Sequence, residues 1–206
     1  MKRFLLGMVV MILVLAGGAT RSFAQGQDTM TPKTDDKMIM KAPGTPYLRA
    51  LTLQDLKGSE EKLTSLAEAI PADKYAWRPA EGVRSVSEVF MHVANANYFY
   101  PTFWGVQPPA SVKEQNLEKS VTEKAKVVQT LRDSFAHLEK AVDGISDEQM
   151  AKSFDYFGQQ MTTSALLFHV ANHEHEHLGQ LIAYARMNGV MPPWSKPNPG
   201  KGAPKE

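Results

Sequence analysis

Histidine is the residue type through which this sequence could do chemistry. The chain has six histidines, and His169, His173, His175 and His177 fall within one short stretch near its C-terminal end. On a helix successive side chains turn by about 100°. His169, His173 and His177 therefore share a face with Leu166, Val170, Leu181 and Tyr184, while His175 points the opposite way. Imidazoles four residues apart lie one turn apart on one face and reach a single ion, which makes His173 and His177 a candidate ligand pair. His92 sits inside a second apolar stripe, that of Val89, Val93 and Ala96, and is the expected third ligand. Three neutral nitrogens at about 2.0 to 2.1 Å leave a fourth position for water or substrate, the arrangement of a catalytic zinc rather than a structural one. His169 is expected beside the site as a hydrogen-bonded core residue.

Cysteine is absent, so a metal site must be built from imidazole and carboxylate. Zinc is the favoured single divalent ion, with nickel or iron accepted by the same ligands. Two other metal motifs fit less well. The run His173-Glu174-His175-Glu176-His177 matches the HExxH zincin signature, in which Glu174 would be the general base. Gln180 stands where that signature wants glycine, however, and no later glutamate precedes Glu206 to act as a third ligand. A ferritin-like dimetal site needs Glu-x-x-His on two helices; Glu174 and His177 supply one, but Val89 occupies the matching position before His92. Around the three histidines, Glu88, Asn95 and Gln180 lie about one turn from ligands and are candidates to orient them, with helix capping the preferred role of Glu88. The aromatic run Tyr98, Phe99, Tyr100, Phe103 and Trp104 is expected to fill core rather than to wall a pocket. No side chain stands out as a catalytic acid or base, so the catalytic residues stay unassigned.

Helices must position these residues. Four segments carry apolar residues at helical spacing and almost none alternate like strands. The first spans about Tyr47 to Ile70 and stops at Pro71. The second starts at Ser85, where Ser85 and Glu88 form a capping-box pattern, and runs to about Phe103. The third covers about Val121 to Val142, and the fourth about Thr163 to Asn188, with Gly189 placed to end it. An all-α four-helix bundle follows, spanning residues 45–191 as one domain. The connections from Pro71 to Arg84 and from Gly105 to Ser120 are long for tight hairpins, so at least one is expected to cross the end of the bundle.

The ends read differently. Met1-Lys2-Arg3, an apolar run from Phe4 to about Ala16, and small residues up to Ala24 have the order of a signal peptide cleaved after Ala24. The apolar run is shorter than the roughly 18 to 20 residues that span a bilayer, so no stable membrane anchor is expected and the protein is expected to be exported, periplasmic or secreted. Residues 25–44 read as a flexible lead, and the Pro- and Gly-rich residues 192–206 as a flexible tail. Lys and Arg total 23 against 22 for Asp and Glu. That balance builds no field for nucleic acid and leaves an unknown small-molecule substrate as the expected partner.

Two blocks resemble the DinB/YfiT-like family of small four-helix metal proteins. One is Trp77-Arg78-Pro79-Ala80-Glu81-Gly82 followed by Ser85 to His92; the other runs from His169 to Gln180 and on through Met187-Asn188-Gly189 and Pro192-Pro193. The likeness covers about Pro46 to Pro193 and departs at Leu178, where many relatives have Arg. It implies that His92, His173 and His177 are metal ligands and His169 is not. It further implies a metal-dependent hydrolase or thiol-dependent transferase as activity, with a non-catalytic metal-binding or stress-related role as the alternative, and makes a homodimer plausible. It implies a site and not a substrate.

Overall fold

The computed structural model describes residues 45–195 except Glu114. The expected signal peptide, the whole of the expected flexible lead (25–44), and the tail from residue 196 lie outside the described residues.

The four long helices form where the apolar stripes predict them: α1 (Thr45–Ala69), α2 (Val86–Phe99), α5 (Lys124–Asp143) and α7 (Thr163–Met187). Short helices lie between them, α3 (Ala110–Lys113) and α4 (Leu117–Ser120) before α5, and α6 (Asp147–Ala151) after it. Local chemistry sets the boundaries. Ser85 caps α2 reciprocally with Glu88, the Glu123 carboxylate accepts from the backbone of Ala125 and Lys126 to start α5, and Thr162 caps α7. The second helix ends at Phe99 rather than near Phe103, and a 3-10 turn continues it from Tyr100 to Trp104. Pro101 is the cause, because it has no N–H to carry the α-helical ladder on. Gly189, with φ +72°, ends α7 in the left-handed region that glycine enters without strain.

The long helices pack in the cyclic order α1, α5, α2, α7, so α1 and α2 lie diagonally opposite, as do α5 and α7. The chain therefore crosses the bundle on its way from α1 to α2 and again from α5 to α7. Between α5 and α7 stands an element that the all-helical reading does not contain, an antiparallel hairpin of β1 (Ser153–Tyr156) and β2 (Gln159–Thr162), in register Ser153 with Thr162 and Tyr156 with Gln159. Its outer residues are exposed while Phe154 and Tyr156 turn half-buried toward the bundle, an alternation too short to register as a strand against helical periodicity.

Two buried clusters fill the interior. Leu63, Leu66, Phe90, Leu131, Phe135 and Leu181 centre one; Leu56, Trp104, Leu138, Leu166 and Val170 centre the other. Polar ties cross them: Asn97 donates to Ser134 at 3.1 Å between α2 and α5, and the Trp104 indole donates to the Ala141 carbonyl at 3.2 Å. Among the described residues past Val190, a 3-10 turn, Pro193–Ser195, rests against α1.

Candidate metal centre

The adjacency of α2 and α7 brings His92, His173 and His177 together. One nitrogen of each ring lies within 4.8 Å of the others, and Nε2 of His92 stands 3.3 Å from Nε2 of His173. Two nitrogens on adjacent corners of a tetrahedral zinc at ordinary bond length are themselves about 3.3 Å apart. The ring centroids are 4.5 to 5.2 Å apart: 5.2 Å for His92 and His173, 4.7 Å for His92 and His177, 4.5 Å for His173 and His177.

The outer nitrogens decide what the inner ones present. His92 Nδ1 lies 2.9 Å from the Glu118 carboxylate. Burial works against the charge on Glu118, but hydrogen bonds from Arg84 and His92 outweigh it and hold its pKa below the usual range. An ionised carboxylate only accepts, so His92 Nδ1 carries the proton and its Nε2 offers a lone pair. His177 Nδ1 is 2.9 Å from Gln180 Oε1. Gln180 spends its amide group on the Tyr184 hydroxyl at 3.0 Å, so its oxygen accepts and His177 is fixed in the same tautomer. Tyr184 is in turn held by Trp77, edge to face at 5.4 Å. Two neutral rings thus direct unprotonated nitrogens into one space, a donor set that suits a cation.

His173 differs, since its Nδ1 is buried without a hydrogen-bond partner. Its nearest acid, Glu174 Oε1, is 3.9 Å away, too far for a hydrogen bond. All three rings have pKa values lowered from the ordinary histidine value, each chiefly by burial. They are therefore neutral near pH 7, as metal ligation requires.

The neighbouring candidates sort clearly. Glu88 serves the α2 cap: its carboxylate accepts from the Ser85 backbone at 2.8 Å and pairs with Lys119 at 2.6 Å and Arg78 at 3.2 Å. It reaches His92 only through α4, because Lys119 neighbours Glu118. Asn95 is half-buried, and no hydrogen bond ties it to a histidine ring among the described residues. His169 stands apart from the three, its Nε2 facing the hydroxyls of Tyr100 at 3.3 Å and Tyr156 at 3.2 Å. His175 turns outward to Asp55 on α1, 3.0 Å away, and His137 lies against Tyr98 with ring centroids 5.2 Å apart. Glu174, the general base of the zincin reading, is wholly enclosed with both carboxyl oxygens unpartnered. Sequence reasoning missed Glu118, whose signal was no more than a carboxylate in a long connection already expected to cross the bundle.

A four-helix bundle with a three-histidine cluster on two adjacent helices defines the class. The profile of the DinB family matches residues 38–198, and the chain belongs to that family. The Bacillus subtilis (strain 168) protein YjoA is 29% identical over 132 residues, 60% of this chain and 80% of YjoA. Among solved structures, a DinB-like protein from Bacillus cereus ATCC 10987 superposes with a TM-score of 0.61 at 19% identity, covering 69% of this chain and 93% of that one. YfiT from Bacillus subtilis, reported as a probable metal-dependent hydrolase with an unusual four-helix bundle topology, gives a TM-score of 0.57 at 16% identity, covering 73% and 92%. These likenesses share the bundle.

Proposed function

We propose that His92, His173 and His177 hold one divalent metal ion, zinc before nickel or iron, and that the protein is an exported metal-dependent hydrolase acting on a small molecule. The observation that carries this reading is the pair of contacts behind His92 and His177, where Glu118 and Gln180 each accept a hydrogen bond from Nδ1–H and leave Nε2 unprotonated for an ion. Such an ion, when bound, supplies Lewis acidity and brings the pKa of a bound water down to about 7. The protein's own part is to keep the three rings neutral by burial and to orient two of them from behind. Among the described residues no fourth histidine or carboxylate joins the cluster, which supports an open, catalytic site over a closed structural one. The description of YfiT as a probable metal-dependent hydrolase supports hydrolysis over thiol transfer. The neutral balance of charge supports a substrate other than nucleic acid, and the basic, apolar and small-residue order of residues 1–24 supports export.

Elemental analysis of the purified protein beside a His173→Ala, His177→Ala double variant tests it. We expect close to one metal ion per chain in the former and almost none in the latter, with a chelator lowering the unfolding temperature of the former alone. Negligible metal in both after reloading would overturn the reading.

A further inference from the structure

We propose that Tyr100, Tyr156 and His169, with Phe157 and Phe99 as a wall, form a binding subsite for a small aryl compound that carries a carbonyl or carboxylate oxygen. The inference rests on the three-histidine reading only for where the reacting end of the ligand lies.

The polar end comes first. Two phenol hydroxyls face one nitrogen, His169 Nε2, at 3.3 and 3.2 Å. The two hydroxyls also hydrogen-bond each other, so with the ring in its Nε2–H tautomer the imidazole donates to one hydroxyl, that hydroxyl donates to the other, and the last O–H is left to donate to an external oxygen. The position suits a ligand that reaches the histidine cluster. The Tyr100 ring packs edge-on against both His169 and His173, with centroids 5.6 Å apart in each case. Tyr100 is buried, whereas Tyr156 and His169 are only partly covered and leave the polar end reachable from solvent.

The wall is the second, independent observation. Phe157 is 78% exposed and adopts φ +52°, followed by Gly158 at φ +84°. A two-residue hairpin turn with both residues at positive φ favours Asn-Gly, and a bulky residue at its first position is a genuine outlier. Burial explains little of the choice, because the ring stays mostly in solvent. Its ring stands 4.9 Å from Tyr156 and 6.3 Å from Phe99, which is itself 41% exposed. The aromatic run expected to be core thus divides: Tyr98, Tyr100 and Trp104 are buried, while Phe99 turns outward beside Phe157. A strained, solvent-facing phenylalanine beside Tyr156, whose hydroxyl faces His169, is accounted for by a ligand ring resting on it.

The probes are benzohydroxamate and acetohydroxamate, which share a metal-binding end and differ in the aryl group. Titrated calorimetrically into the zinc-treated protein, benzohydroxamate should bind about three- to tenfold more tightly, the range of one favourable aromatic contact. Phe157→Asn should bring that ratio to near one while leaving the unfolding temperature unchanged or higher, since asparagine suits the turn. Tyr156→Phe should weaken both probes. In parallel, saturation transfer from the protein to benzohydroxamate is measured on chelator-treated protein and should be lost in Phe157→Asn. That arm decides the proposal even if the zinc reading fails, which would show separately as no heat of zinc binding. Equal affinity for the two probes in the wild type, or a preference that survives Phe157→Asn, would overturn it. So would a Phe157→Asn variant that changes only sedimentation, because the shelf would then serve self-association.

Discussion

Two polar inclusions sit one residue apart on α7, and the bundle treats them in opposite ways. His173 turns toward α2 and joins a cluster in which two of three rings are braced from behind by Glu118 and Gln180. Glu174 turns toward α1, where Asp55 acts on it, and has no partner at either oxygen. Burial raises the Glu174 pKa to about 8 and lowers that of His173, so both are uncharged near neutrality and the 3.9 Å contact between them is not a working ion pair. The difference separates two uses of buried polarity. Partners on the outer atoms leave the inner atoms free and aimed, whereas a group with no partners is a cost to the fold.

The largest effect expected from that contrast is on stability. Replacing Glu174 with methionine, similar in length and apolar, should stabilise the metal-free protein at pH 8 by about 2 kcal/mol. The sign follows from linkage. A carboxyl whose folded pKa lies near 8, above its ordinary 4.5, keeps a proton that the unfolded chain releases; its contribution is fully present below pH 4.5 and is lost as pH rises through 8. The histidines act oppositely, since their lowered pKa values make acid destabilising as pH falls below about 6.5. The histidines still titrate in the unfolded chain just above pH 6.5, so the difference isolates Glu174: between pH 6.5 and 8 wild-type stability should fall relative to that of Glu174→Met by up to about 1.4 kcal/mol per pH unit. Denaturant unfolding at several pH values in chelator checks this, and parallel curves would mean that Glu174 is solvated or partnered.

A smaller effect is expected from the braced side. Glu118→Ala removes the acceptor behind His92 and should weaken zinc affinity about 10- to 100-fold, with Glu118→Gln intermediate because its oxygen still accepts from Nδ1. Competition against a chromogenic chelator measures both. Unchanged affinity in Glu118→Ala would make the 2.9 Å contact a passenger and leave His92 no better oriented than His173.

The braced site was only half legible in sequence. Helical phase placed His173 and His177 on one face, and the Ser85–Glu88 box marked where the helix of His92 begins, because both signals repeat over several turns. Glu118 lies in α4, whose four residues show no periodicity, and its value comes from a crossing that no local pattern encodes. The hairpin escaped for the same reason: Phe154 and Tyr156 alternate with exposed neighbours over only four residues. Pro101, which stops α2 at Phe99, was visible and pointed to the earlier end. Diagonal placement of α1 and α2 depends on packing between distant segments, which stripes alone do not rank.

The smallest effect concerns how α4 is held over the site. Glu88 ties Lys119 and Arg78 to the start of α2, and its pKa is held down to about 2, first by the Lys119 hydrogen bond and then by that from the Ser85 backbone. Glu88→Gln keeps a capping box, since glutamine also suits that position, but removes the charge. Lys119 is 69% exposed, so screening should limit the loss at pH 7 to under about 1 kcal/mol. A carboxylate with a depressed folded pKa contributes stability above pH 4.5 and loses it as pH falls toward 2, so the gap between wild type and Glu88→Gln in urea should narrow from pH 5 to pH 3. A gap that stays constant would assign the loss to packing. Because Lys119 neighbours Glu118, the same variant should lower zinc affinity by less than Glu118→Ala does. A loss as large as that of Glu118→Ala would show that the grip on α4, and not the carboxylate itself, orients His92.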